Sequence, residues 1–316
     1  MSQHGIHTID TAFQRDHFDA AYLVVEQGRG AFIDCGTNHS VPNLLAAAAA
    51  AGLTPADIDW VMVTHVHLDH AGGAGALMAE LPNAKLVVHP RGAAHMIDPS
   101  RLVAGATAVY GEEEMQRSYG TILPVPEARV VVAADGDVFD LQGRPLACID
   151  TPGHARHHYC VWDARSRSWF TGDTFGLSYR ELDVDGRPFI MPTTTPTQFD
   201  PQAMHDSIDR MLAMQPQAMY LTHYSRVTDV ERLGADLHRL IDTMVAVASA
   251  ARGTGVPRHV EILAGLEQIV REEAARQEWA LNEDDTLELL RMDLELNAQG
   301  LGVWLDSQRV AEAETA

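Results

Sequence analysis

An α/β fold is the expectation for this chain, with a helical stretch at its C-terminal end, and three observations support it. Short apolar runs alternate with alanine-rich or amphipathic segments as far as residue 228. Each group of His and Asp side chains able to hold a metal ion follows directly on one of those apolar runs. From Asp229 onward the strand texture stops and helix-forming segments take over.

Taken in order, residues 20–36 read as two strands, Ala20–Gln27 and Ala31–Asp34, joined through Gly28-Arg29-Gly30 as a hairpin. Ser40 or Asn43 starts a helix through the alanine run to Ala51. Thr54-Pro55-Ala56-Asp57 is a turn or short helix, and Val61-Met62-Val63 is a short buried strand. Gly73–Leu81 is helical and Ala84–His89 is a further strand. Residues 91–126 carry helix-compatible segments, Gly92–Ile97 and Thr107–Tyr119, and form an insertion. Its Met96, Tyr110, Met115 and Tyr119 suit either a cleft lining or the packing of the insertion itself. Val130–Ala133, Val138–Leu141 and Pro145–Ile149 are strands, and 158–162 with 168–171 form a hairpin about Ala164–Arg167. Asp200–Met214 is a helix and Ala218–Leu221 a strand. The tail reads as helices over Val230–Ala251, His259–Gln277 and Asp284–Asn297. The expected organisation is therefore residues 1–228 as one domain, with a helical insertion at 91–126 over the cleft, and 229–316 as a helical extension.

Composition narrows the function. The chain of 316 residues is 46% apolar, enough to bury a substantial core, and its net charge is −21. So acidic a surface repels polyanions, and no basic stripe offsets it, so nucleic-acid substrates are not expected. No run approaches the roughly 18 apolar residues of a membrane span, and Met1–Asp19 lacks the apolar core of a signal peptide. The three cysteines, Cys35, Cys148 and Cys160, are widely spaced with no Cys-X-X-Cys, so a reducing, cytoplasmic setting is expected, and Cys148 and Cys160 read as core filling.

The stretch that organises the chain is Thr64-His65-Val66-His67-Leu68-Asp69-His70-Ala71-Gly72-Gly73. Four metal-capable side chains sit in six residues where a strand ends. In extended chain His65 and His67 point to one side, and Asp69 with His70 reaches a second point as the backbone turns. Two imidazoles on one ion, with a carboxylate and a third imidazole beside them, begin a two-metal site.

This His-X-His-X-Asp-His motif resembles that of the metallo-β-lactamase-fold superfamily. The rest of the family pattern occurs in order: Asp34 in Phe32-Ile33-Asp34-Cys35-Gly36, His154 in Thr151-Pro152-Gly153-His154, Asp173 in Thr171-Gly172-Asp173-Thr174, and His223 in Leu221-Thr222-His223. The resemblance spans residues 20 to 225 and implies a four-layer αββα sandwich. It assigns His65, His67 and His154 to a first metal, Asp69, His70 and His223 to a second, and Asp173 to both. It also gives Asp34 a supporting role in holding the metal loop. Two divalent cations, zinc first with iron and manganese also accommodated, would activate a bridging hydroxide to cleave a small acyl substrate such as an ester, thioester or lactone. Asp69 would hold or relay the proton.

Substrate recognition is expected in Phe175–Phe199, and Tyr179 or Tyr224 is a candidate donor to the developing oxyanion. His157 or His158 is a candidate to orient a ligand, while His89 and His95 are spare. The Gly-Cys-Gly-Arg-like run associated with glyoxalase II and persulfide dioxygenase is replaced by Thr174-Phe175-Gly176-Leu177-Ser178, so neither specific assignment follows. A mononuclear iron persulfide dioxygenase on His65, His154 and Asp173 is the alternative, and a weakly active ligand-binding protein of the same fold is a third. A homodimer is compatible with either.

Overall fold

The computed structural model describes residues 3–194 and 198–315. The chain divides into two compact units: Met1–Asp150 with His157–Gly172 and Gln215–Thr228, and Thr151–Arg156 with Asp173–Met214 and Asp229–Ala316.

The first unit holds two six-stranded sheets. One runs in spatial order β1 (Ile6–Asp10), β2 (Ala20–Glu26), β3 (Arg29–Ile33), β4 (Ile58–Met62), β5 (Lys85–Val88), β6 (Val130–Val132). The other, built from β7 (Val138–Leu141), β8 (Arg144–Asp150), β9 (Tyr159–Asp163), β10 (Ser168–Gly172), β11 (Ala218–Leu221) and β12 (Ser225–Val227), is likewise ordered by sequence. The β2–β3 hairpin turns on two residues rather than three. Glu26 pairs with Arg29, and Gln27 and Gly28 both take positive φ (45° and 77°), the turn whose twist matches that of the strands. β3, β4, β5 and β6 are parallel neighbours, and the largely buried β3 and β5 carry the apolar runs Ala31-Phe32-Ile33 and Leu86-Val87-Val88, while the edge strand β6 is half-exposed.

The sheets face one another through aromatic side chains. Tyr22 on β2 packs against Phe170 and Tyr220 with ring centroids 5.3 and 5.2 Å away, and its hydroxyl donates to the Leu221 carbonyl. Tyr159 donates to the Val87 carbonyl at 3.0 Å. On the outer face of the first sheet, α1 (Val41–Ala50), α3 (Ala74–Glu80) and α4 (Ala93–Ile97) bury Leu44, Leu77, Met78 and Met96 against Leu23, Phe32, Val61 and Leu86. The four-residue α2 (Leu68–Ala71) lies between. α5 (Ser100–Tyr110) and α6 (Glu112–Ser118) break the single helix expected over Thr107–Tyr119, because Gly111 sits at φ 83°. Met115 and Tyr119 are buried, the latter 5.5 Å from Phe13, whereas the Tyr110 side chain lies outside the described residues. The second sheet also encloses Arg144, fully buried, whose Nε donates to Asp163 at 3.1 Å and whose Nη1 donates to the His4 carbonyl at 2.7 Å. All three cysteines are buried free thiols.

The second unit is helical. Asp200 caps α7 (Pro201–Ala213) by accepting from the Ala203 N–H; α8 (Val230–Ala250) packs on α7, and α9 (Gly255–Gln277) and α10 (Glu283–Thr315) pack on α8 and on each other. The last helix runs well past its expected end at Asn297. That residue is buried, its amide accepting from the Thr194 N–H at 2.7 Å and donating to the Pro192 carbonyl at 3.1 Å. Its polarity is spent on a loop and does not stop the helix. Among the described residues no helix is long and apolar enough to cross a membrane.

Candidate metal centre

Each candidate ligand follows the C-terminal end of a strand: the His65–His70 turn after β4, His154 after β8, Asp173 after β10 and His223 after β11. Loops there are held by a rigid scaffold and are free to turn side chains outward. Two glycines are demanded by close approach. A Cβ on Gly73 would lie 2.5 Å from the Thr37 carbonyl oxygen. On Gly172, at φ 47° just before Asp173, it would lie 2.6 Å from both His158 Nε2 and Thr64 Oγ1.

In the first unit five of the expected ligands converge. His65 Nε2 and His67 Nδ1 stand 2.8 Å apart, and the Thr64 hydroxyl lies 3.2 Å from the other nitrogen of His65. His70 Nε2 and His223 Nε2 approach the same oxygen of Asp69, at 3.5 and 3.6 Å. Ligand atoms of Asp69, His70 and His223 all fall within 4.8 Å of one another. The far nitrogens of both imidazoles are held by buried carboxylates. His70 Nδ1 donates to Asp34 at 2.9 Å, and His223 Nδ1 lies 2.5 Å from Asp19 Oδ1. That arrangement fixes the tautomer and turns each Nε2 lone pair towards Asp69.

Asp34 is the hub, as the resemblance implied. Besides His70, its carboxylate accepts from the Thr64 N–H at 2.7 Å, the Thr64 hydroxyl at 3.0 Å and the Thr222 hydroxyl at 3.1 Å. It therefore ties the loop after β4 to the loop after β11. Asp19 is buried at the start of β2, where the Ala20 N–H donates to Thr222 at 2.7 Å. Burial pushes its carboxyl up to about 6, against the downward pull of the neighbouring His223, and the nearby Asp69 adds to the rise. Nothing local in the sequence marks Asp19, because its partner lies at the far end of the domain. Three carboxylates, Asp19, Asp34 and Asp69, and four imidazoles in so small and dry a volume suit divalent cations. Positive charge there offsets the carboxylates, and neutral imidazole supplies nitrogen donors. His158, fully buried with its ring 4.8 Å from that of His65, packs the ligand ring, and His157 lies 5.5 Å from His67.

In the second unit His154 Nε2 lies 3.3 Å from Asp173 Oδ2, and the Thr193 hydroxyl sits 3.0 Å from His154 Nδ1. The same hydroxyl donates to the Asp173 carbonyl at 3.0 Å. Here too a side chain occupies the far nitrogen and leaves Nε2 directed at a carboxylate.

The two candidate tyrosines are placed differently. Tyr179 is fully buried, and its hydroxyl donates to the Asp293 carboxylate at 3.1 and 3.2 Å, so its place is structural and not that of an oxyanion donor. The reason is α10, which presents Asp293 to it; a tail helix of unknown register was not available to sequence reasoning. Tyr179→Phe is accordingly expected to lower stability by about 1–2 kcal/mol while leaving kcat and metal content at wild-type values. Denaturant unfolding and steady-state kinetics check this, and a fall in kcat at unchanged KM and stability would return the hydroxyl to the chemistry. Tyr224 is mostly buried, with its ring 5.1 Å from that of His17. His89 is paired with Asp150 at 3.0 Å, apart from the ligand groups above. Residues 195–197, within the expected recognition segment, lie outside the described residues.

Paired sheets with helices, and a His/Asp cluster at their strand ends, define a metal-dependent hydrolase of the αββα type. The chain belongs to the metallo-beta-lactamase superfamily, whose family model matches residues 16–223. It is 25% identical over 228 residues to the metallo-beta-lactamase fold-containing protein ST1585 of Sulfurisphaera tokodaii, covering 71% of this chain and 79% of that one. The crystal structure of ST1585 superposes with a TM-score of 0.65 over 95% of this chain and 99% of that one, at 22% identity. A hydroxyacylglutathione hydrolase of Acidiphilium cryptum is 27% identical over 243 residues, 75% of this chain and 78% of that one. The acyl-coenzyme A thioesterase MBLAC2 of Gallus gallus is 28% identical over 181 residues, 53% of this chain and 60% of that one.

Proposed function

We propose that the chain is a dinuclear hydrolase of small acyl substrates, with thioesters first and lactones and simple esters next. The observation that carries this is the Asp69–His70–His223 cluster, whose two imidazoles are each aimed by a buried carboxylate. That second, carboxylate-supported set gives a second cation a place, and this is why a two-metal centre is put ahead of a mononuclear iron oxygenase, although retention of the set alone is compatible with both. On this reading His65 Nε2, His67 Nδ1 and His154 Nε2 hold one cation, and Asp69, His70 and His223 hold the other. Asp173 is shared between them. Joining His154 and Asp173 to the other five is supported by the order of the motifs and by a single family match running through both. Residues 1–228 would then carry the catalysis and 229–316 serve as an extension to it.

Bound in this way, two divalent cations supply an acidified water and positive charge for the acyl carbonyl oxygen. The protein supplies the rest. Asp34 and Asp19 keep His70 and His223 in the Nε2-ligating tautomer, so the ligand field is set before substrate arrives. The Asp69 carboxylate, only half-buried, is positioned to accept the proton released as the nucleophile adds and to pass it to the departing oxygen or sulfur. Thioester substrates take first place because relatives named hydroxyacylglutathione hydrolase and acyl-coenzyme A thioesterase match 75% and 53% of the chain. Zinc is proposed as the metal.

Protein stripped with chelator and then supplied with zinc, iron or manganese tests this reading, each form being assayed on acyl thioesters, lactones and aryl esters. Zinc-restored hydrolysis of at least one of these classes, with thioesters the fastest, is the expected result. Oxygen uptake with a persulfide by the iron form, without hydrolysis by any form, would overturn it.

A further inference from the structure

α7 and α8 carry the same short pattern, His-X-X-X-Asp, as His205/Asp209 and His238/Asp242. One helical turn separates the members of each pair, so each helix shows its histidine and aspartate on one face. The helices run antiparallel here and the pattern interlocks. His205 Nε2 faces Asp242 at 3.2 Å and His238 Nε2 faces Asp209 at 3.2 Å. The two ring planes are nearly parallel, at 10°, with centroids 4.9 Å apart, and the rings meet head-on with their Nδ1 atoms 2.6 Å from each other.

The protons do not balance for two neutral rings. Each carboxylate calls for an N–H on the Nε2 it faces, and a neutral imidazole has only one N–H to give. With both Nε2 atoms protonated, both Nδ1 atoms are bare lone pairs pointed at each other at contact distance, a clash that a proton or a metal cation between them relieves. Imidazoles facing carboxylates also occur as Asp34–His70 and Asp19–His223, there with buried carboxylates where Asp209 and Asp242 are exposed, and the close approach of ring nitrogens is the one His65 and His67 show.

We propose that His205 and His238 hold a transition-metal cation of the copper, nickel or zinc class between α7 and α8, as a second metal site apart from the catalytic centre. Nδ1 of each ring is the ligand atom, and Asp242 and Asp209 receive the Nε2–H groups. With metal–nitrogen bonds of about 2.0–2.1 Å, two nitrogens on one such ion stand roughly 3 Å apart when bent and about 4 Å apart when opposed, so the rings must open by about 0.5–1.5 Å. The side chains of His205 and His238 retain 19% and 27% of their exposure, which leaves room for that movement and for water to complete the coordination. Imidazole nitrogen selects these ions over magnesium or calcium. The bound ion joins two helices that are adjacent in space but separated in sequence by β11 and β12.

The test uses full-length protein with the catalytic centre filled with zinc, titrated with Cu2+ and followed by electron paramagnetic resonance. One further equivalent of copper with two nitrogen ligands is expected for the wild type. His205→Ala and His238→Ala are each expected to lose that equivalent, and Asp242→Asn to weaken it at least about tenfold while both rings remain. Hydrolysis is expected to be unchanged in all three, since none touches the catalytic ligands. If copper uptake and its spectrum are the same in the wild type and both alanine variants, as they would be for a pair bridged by a proton or for exchange at the catalytic centre alone, the proposal is wrong.

Discussion

His67→Ala is expected to cut acyl hydrolysis at least about a thousandfold, equivalent to about 4 kcal/mol of transition-state stabilisation, while the protein still folds. His67 is half-buried and its Nδ1 lies 2.8 Å from His65 Nε2, so its loss removes one donor from a ligand pair and little from the core. A cation held by fewer nitrogens is bound more weakly and at the wrong angle to the acyl group. Two quantities separate the readings: metal per chain after dialysis, and kcat/KM with excess metal restored. Loss of about one metal equivalent with residual activity below a thousandth is the expected pair. Turnover within tenfold of wild type at full metal content would remove His67 from the centre.

Asp34→Ala has the largest expected effect on the folded state, about 3–5 kcal/mol. One buried carboxylate serves the Thr64 N–H, the Thr64 and Thr222 hydroxyls and His70 Nδ1, and alanine leaves all of these donors without their acceptor in a dry interior. Asp34 also sits at φ 55°, where asparagine is tolerated far better than alanine. Asp34→Asn therefore separates the two roles. It retains an acceptor for Thr64 and is expected to fold, but an amide cannot accept from every donor that the carboxylate serves, so metal affinity should fall about 10–100-fold. Denaturant midpoints and competition with a zinc-binding dye measure the two effects. A wild-type midpoint for Asp34→Ala would show that the hub is not one.

Much of this was legible because the fold and site are written locally. Buried parallel strands show as apolar runs, so β5 and β11 could be read within a residue, whereas β4 begins three residues before the expected Val61, its run being interrupted by Asp59 and Trp60; the ligands follow those runs directly. β1 and β12 were not foreseen. β1 is five residues with a mixed burial pattern and β12 is three, too short for alternation to stand out. Tyr179 shows the limit most plainly. Its neighbours in sequence pointed to a recognition loop, while its partner Asp293 comes from a helix whose end could not be found, because Asn297 looks like a stop and is instead consumed by Thr194 and Pro192. Asp19 and the His205–His238 pair were missed for the same reason: contacts between distant segments leave no periodic trace in either one.

The central claim is that seven side chains from four loops share one pair of cations. Anomalous diffraction at the zinc edge from crystals of the metal-loaded protein tests it most directly. Two peaks about 3.5–4 Å apart, one against His65, His67 and His154 and the other against Asp69, His70 and His223, with Asp173 touching both, is the result expected. A single peak at the His65–His67 pair with Asp69 and His223 unligated, or zinc bound with His154 and Asp173 remote from it, would contradict the claim.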